Sequence, residues 1–112
     1  MIKIKIQRQK NKIIYFEIKG HANFSEYGED VICAAVSSVG QMTVNGLIET
    51  LKLKKKLKFT EEDGYISCDL KNSGLTDDEL ENADILVESM YSYLKDVAKS
   101  YKNFVKLREI KK

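Results

Sequence analysis

The chain has 112 residues, with 19 Lys and Arg against 17 Asp and Glu for a formal net charge of +2; that length suits one domain, residues 1–112. Apolar residues at 43% and charged residues at 32% exclude a disordered chain, and no uncharged apolar run reaches the roughly 20 residues of a membrane helix. Two cysteines exclude a disulfide framework and one histidine excludes a multi-histidine metal site, so the expectation is a cytoplasmic protein with no cofactor, metal or membrane attachment.

Ile2, Ile4 and Ile6 alternate with Lys3, Lys5 and Gln7, the period of a half-buried strand. After a polar turn at Lys10-Asn11, Ile14, Phe16 and Ile18 alternate with Tyr15, Glu17 and Lys19, completing a hairpin that Gly20 ends. His21 to Glu29 has loop composition. Asp30 is a suitable N-cap for a helix in which Ile32, Ala35, Val36, Val39, Thr43, Leu47 and Leu51 follow helical spacing, with no charge from Val31 to Ile48. So wide an uncharged surface needs cover beyond the sheet, from a second helix or a second copy of the chain.

Leu57 and Phe59 open a third strand, Asp63-Gly64 makes the turn, and Tyr65 to Leu70 form a fourth, with Ile66, Cys68 and Leu70 on one face. Thr76 and Glu79 have capping-box spacing, and Leu75 and Leu80 occupy staple positions. The helix they start carries Leu80, Ala83, Val87, Met90, Leu94, Val97 and Tyr101 as its core stripe; Phe104 to Ile110 reads as a fifth strand. The order ββαββαβ predicts an α/β (α+β) two-layer sandwich, a mixed sheet with both helices on one face.

Cys33 is the chemically interesting residue. Three positions after the expected cap, it would sit where unpaired N–H groups and the helix dipole favour a thiolate, and those N–H groups would be oxyanion donors. The alternative is a small buried residue beside Ala34 and Ala35. Cys68, mid-strand among apolar neighbours, reads as core. His21 at a strand end and Cys33 at a helix start lie at the same sheet edge, where a thiolate–imidazolium pair would supply a nucleophile and a proton donor. Asp30 has two readings, helix cap or orienter of the imidazole. Phe24, Tyr27 and Gly28 belong to a loop that either contacts substrate or is an ordinary surface loop.

Gly20-His21-Ala22, followed by Tyr27-Gly28-Glu29-Asp30-Val31-Ile32-Cys33-Ala34-Ala35-Val36-Ser37, resembles the signature of the bacterial ribosomal-processing cysteine protease Prp family. That resemblance implies a cytoplasmic endopeptidase that removes a short N-terminal extension from the large-subunit ribosomal protein L27. It places the family's histidine on His21, its nucleophile on Cys33 and its motif aspartate on Asp30, and it implies a homodimer. It also implies cleavage after an aromatic residue, with Phe24 or Tyr27 helping to form the pocket.

A second function class is a non-catalytic ribosome- or RNA-binding module. Lys52, Lys54, Lys55, Lys56 and Lys58 form one basic run, and Lys3, Lys5, Arg8, Lys10 and Lys12 another. Six acidic residues between Asp77 and Glu88 offset them, and the sequence holds no aromatic stacking motif. Direct nucleic-acid binding is therefore not expected.

Overall fold

The computed structural model describes the backbone at residues 1–20 and 27–112, and the side chains at 1–20 and 31–112. Strands β1 (Ile2–Gln9) and β2 (Lys12–Lys19) are followed by helix α1 (Tyr27–Asn45), which runs into a π-helical turn at Gly46–Thr50. Strands β3 (Lys58–Glu62) and β4 (Tyr65–Asp69), helix α2 (Asp77–Ser100) and strand β5 (Val105–Lys111) complete the expected ββαββαβ order. The sheet order is β3-β4-β2-β1-β5, antiparallel except for the parallel β1–β5 pair that the α2 crossover creates.

Alternation dictates which strand residues meet the helices. Ile2, Ile4 and Ile6 of β1, Ile18 of β2, and Ile66 and Cys68 of β4 are buried on the helix side. The even phase predicted for β2 breaks at its start. Gln7 pairs with Tyr15 but Arg8 pairs with Ile13, so Ile14 is the extra residue of a bulge. Ile13 is buried and Ile14 only half-buried, because the bulge reverses which of the two faces inward.

Helix α2 begins as its sequence dictates: the Thr76 hydroxyl accepts from the Glu79 N–H at 3.1 Å, and Glu79 Oε1 accepts from the Thr76 N–H at 2.9 Å. Ala83, Val87, Met90, Leu94 and Val97 are buried. Tyr101 does not extend that stripe. It is the C-cap residue and is 45% exposed, since its backbone has left the helix.

Helix α1 departs from expectation at its start and in the phase of its buried face. It begins at Tyr27, three residues before the expected cap, so Asp30 lies inside the first turns and cannot be the N-cap. An acidic residue near a helix start suits the dipole as well as it suits the cap, so residue type alone cannot separate the two positions. Ile32, Cys33, Val36, Gly40, Thr43, Val44 and Leu47 form the buried face, whereas Ala35, Val39 and Leu51 are half-buried. The reason is Gly40. A Cβ there would lie 2.7 Å from Ile18 Cδ1 and 3.1 Å from Ile66 Cδ1, so the helix approaches β2 and β4 through its glycine side. By length and composition the stretch Val31–Thr50, mean hydropathy 1.5, is apolar enough to cross a membrane. Contrary to the expectation of no such stretch, it is present, and Ile32, Val36, Val44 and Leu47 within it are buried.

Candidate active site

The corner where β2 ends and α1 packs is set by glycine. Gly20 has φ +117°, and a Cβ on it would lie 2.5 Å from the Met1 carbonyl oxygen, so only glycine fits between the start of β1 and the end of β2. Its N–H donates to the Gly64 carbonyl at 3.0 Å, which pins the end of β2 to the β3–β4 turn. The Gly20 carbonyl faces α1 and accepts from Cys33 Sγ at 3.7 Å. Cys33 is therefore held against the peptide that joins Gly20 to His21.

Position and burial bring Cys33 there. It lies two helical turns before Gly40, on the face that packs closest to the sheet, and only 9% of its surface is exposed. Cys33 is the seventh residue of α1, not a first-turn residue as expected, because the helix starts earlier. The first-turn N–H groups lie roughly 5–9 Å before it along the axis. This overturns the helix-start argument for its activation and for its oxyanion donors; the contact with Gly20 is what the fold supplies instead.

His21 and Phe24 lie outside the described residues, as do the side chains of Tyr27 and Asp30, while Gly28 is placed as backbone within α1. Of the predicted site residues, the structure therefore locates the Cys33 side chain and the attachment point of His21. Sequence reading noted Gly20 as a strand end, a possible hinge and the first residue of the Gly20-His21-Ala22 motif, and missed its contact with Cys33. The hairpin register was the available signal, since pairing Lys3 with Lys19 sets Met1 against the residues that follow β2.

Cys68 has a different setting. It is fully buried, opposite Phe16 on β2 and Phe59 on β3. Burial, aided by the Asp69 charge, pushes its thiol up to about 12. It is a core residue, as expected. Among the described residues, no three His, Cys, Asp or Glu side chains cluster to hold a metal ion.

Comparison with known proteins places this corner in context. Residues 1–106 match the family described as Cysteine protease Prp. The ribosomal processing cysteine protease Prp of Bacillus subtilis is 35% identical over 104 residues, 92% of each chain. That of Mycoplasma genitalium is 31% identical over 97% of this chain and 96% of its own. Among solved structures, SMU.848 from Streptococcus mutans has TM-score 0.79 and 31% identity, covering 100% of this chain and 96% of its own. The essential ribosomal processing protease Prp from S. aureus, in complex with a substrate peptide, has TM-score 0.78 and 23% identity over 97% and 99%. With its sequence matched almost end to end and its fold shared, the chain belongs to the Prp family of cysteine proteases.

Proposed function

We propose that this protein is the cytoplasmic endopeptidase that removes the N-terminal extension of ribosomal protein L27, with Cys33 as nucleophile and His21 as its acid–base partner. The observation that carries this reading is the 3.7 Å contact of Cys33 Sγ with the Gly20 carbonyl, one covalent bond from His21. It limits how far the sole imidazole of the chain can begin from the thiol. In the proposed cycle the Cys33 thiolate adds to the scissile carbonyl and the imidazolium of His21 protonates the departing amine. His21 then takes a proton from water, which attacks the acyl-enzyme and releases the shortened protein's counterpart, the extension, from Cys33. A related S. aureus protease has been solved with a covalently linked product peptide, in keeping with an acyl-enzyme route. Phe24 and Tyr27 are proposed as contacts for an aromatic residue at the cleavage point, and Asp30 as orienter of the imidazole now that it is not the cap.

A homodimer is part of the proposal. Val31 and Met42 on α1 are 56% and 69% exposed, Ile85 and Tyr93 on α2 are 66% and 52% exposed, and a groove of about 510 Å³ runs between the helices. Pairing through this uncharged helix face would cover them.

The decisive experiment incubates the protein with the extended L27 protein and measures product mass. Loss of the extension with wild type, and intact substrate with Cys33→Ala or His21→Ala, supports the proposal; cleavage by either variant at the wild-type rate refutes the assignment. Sedimentation equilibrium tests the dimer, with a doubled mass that Met42→Glu converts to 12.8 kDa as the expected result.

A further inference from the structure

The fold sorts the basic residues of the sequence into two sets. Arg8, Lys12 and Lys56 reach the α2 side, where they pair with Glu88, Glu81 and Glu79. The acidic residues of α2 thus neutralise cations on their own side of the molecule. The opposite face of the sheet carries no helix. On it, Lys3 of β1 lies between Lys19 of β2 and Lys106 of β5, and Lys5 lies between Glu17 and Arg108.

These residues line a shallow groove of about 430 Å³. None of the five cations forms an ion pair among the described residues. Cross-strand neighbours of like charge destabilise a sheet, and here they recur as Lys3–Lys19, Lys3–Lys106 and Lys5–Arg108. Glu17 is the one carboxylate lining the groove. Burial works to raise its pKa, but hydroxyls donated by Tyr65 at 2.7 Å and Tyr15 at 3.0 Å, with the charges of Lys5 and Lys19, hold it below the usual range. Those two half-buried tyrosines bring aromatic rings to the same face from β2 and β4.

We propose that the outer face of β5-β1-β2 binds single-stranded RNA, its phosphates lying along the two cationic rows and its bases against Tyr15 and Tyr65. A basic sheet face flanked by aromatic side chains suits a chain with a charge at every residue and a stackable base beside it. An acidic peptide adding as a strand would pair with the free edge of β5, beside the patch, and leave Lys3, Lys5 and Lys19 on the paired strands β1 and β2 uncovered. A lipid surface would also draw on exposed aliphatic side chains, and the exposed Val31, Met42 and Ile85 belong to the helices. The proposal is independent of the cleavage chemistry and revises the expectation from sequence. The small net charge conceals five cations on the side of the sheet opposite the acidic helix α2.

The test is fluorescence anisotropy of a labelled 20-nucleotide oligouridine between 50 and 200 mM KCl. Five neutralised phosphates predict a slope of log affinity on log salt near −3.5, so affinity falls about 100-fold over that range. Lys106→Glu/Arg108→Glu, on the edge strand away from Cys33, should bind at least about tenfold more weakly with a slope shallower by about 1.4. Peptide cleavage and far-UV circular dichroism should be unchanged. Lys106→Gln/Arg108→Gln gives the same reading with less perturbation should the reversal unfold the sheet, and Lys54→Glu/Lys55→Glu should bind as wild type. The proposal is overturned by absence of RNA binding, by binding that the β5 variants leave intact, by equal loss in the Lys54/Lys55 variant, or by binding of anionic vesicles or polyglutamate in place of RNA.

Discussion

Cys33 and Cys68 are both buried and both free, yet the fold treats them differently. Cys68 projects from the middle of β4 between Phe16 and Phe59, fully buried in the apolar core. Cys33 projects from α1 onto the end of β2, where its neighbour is the carbonyl of a glycine that tolerates no side chain. Burial alone does not distinguish a reactive thiol from an inert one; the polarity of the few atoms around the sulfur does. One thiol has the Gly20 carbonyl beside it and a chain segment leading to the only histidine of the sequence. The other has a hydrocarbon wall.

The sharpest way to break this comparison is to remove each sulfur. Cys33→Ala should lower cleavage by more than about 1,000-fold, since the covalent route is lost, while Cys68→Ala should keep most of it. An assay of both variants on the extended ribosomal protein decides, and an active Cys33→Ala protein would sink the distinction. Alkylation sharpens it next. With iodoacetamide at neutral pH, Cys33 should be modified at least about tenfold faster than Cys68, which reacts only on unfolding. Peptide mapping by mass spectrometry reads both rates, and His21→Ala should slow the first and leave the second alone.

Glycine supplies a smaller effect confined to the Cys33 corner. Gly20→Ala should lose about 2–3 kcal/mol in urea unfolding, from the strained φ and the clash with the Met1 carbonyl. Gly74→Ala, at φ +67° with open space around its Cβ, should lose only about 1 kcal/mol. Similar losses at the two glycines would mean that the approach of Met1 does not constrain the corner.

The smallest effect belongs to Cys68. Its folded pKa, about 12, stands above the ordinary 9.0. Below about 9 the thiol is protonated in both folded and unfolded chains. Between about 9 and 12 the unfolded chain gives up the proton that the folded chain keeps, so stability is lost as pH rises through this window. The loss is at most about 1.4 kcal/mol per pH unit. Cys68→Ala should lack that contribution, so its stability deficit relative to wild type should shrink when unfolding is compared at pH 8 and pH 10. A constant deficit would show that Cys68 does not titrate with unfolding.

Much of the architecture was legible because local physics writes it directly. Alternating isoleucines specify β1, Asp63-Gly64 specifies a turn, and the Thr76–Glu79 box with its apolar stripe specifies α2 almost to the residue. The start of α1 was not legible. Tyr27-Gly28-Glu29 carries no strong helix signal, and Asp30 has the same preference for a cap as for a first turn. Nor was the bulge at Ile14, since a change of phase is set by pairing with β1 and leaves no mark on a single strand.

The sequence by itself determined the element order, the two-layer arrangement and the core character of Cys68, and its motif singled out Cys33 for the proposed role of nucleophile, because period, capping and motif are properties of neighbours along the chain. The tertiary structure alone decided that Gly40 brings α1 down onto Ile18 and Ile66, that Gly20 rather than a helix start meets the Cys33 sulfur, and that five cations from three strands share a face empty of helices. Each of those depends on residues distant in sequence. Their distances and fields exist only once β1 is paired with both β2 and β5 and the helices have taken one side of the sheet.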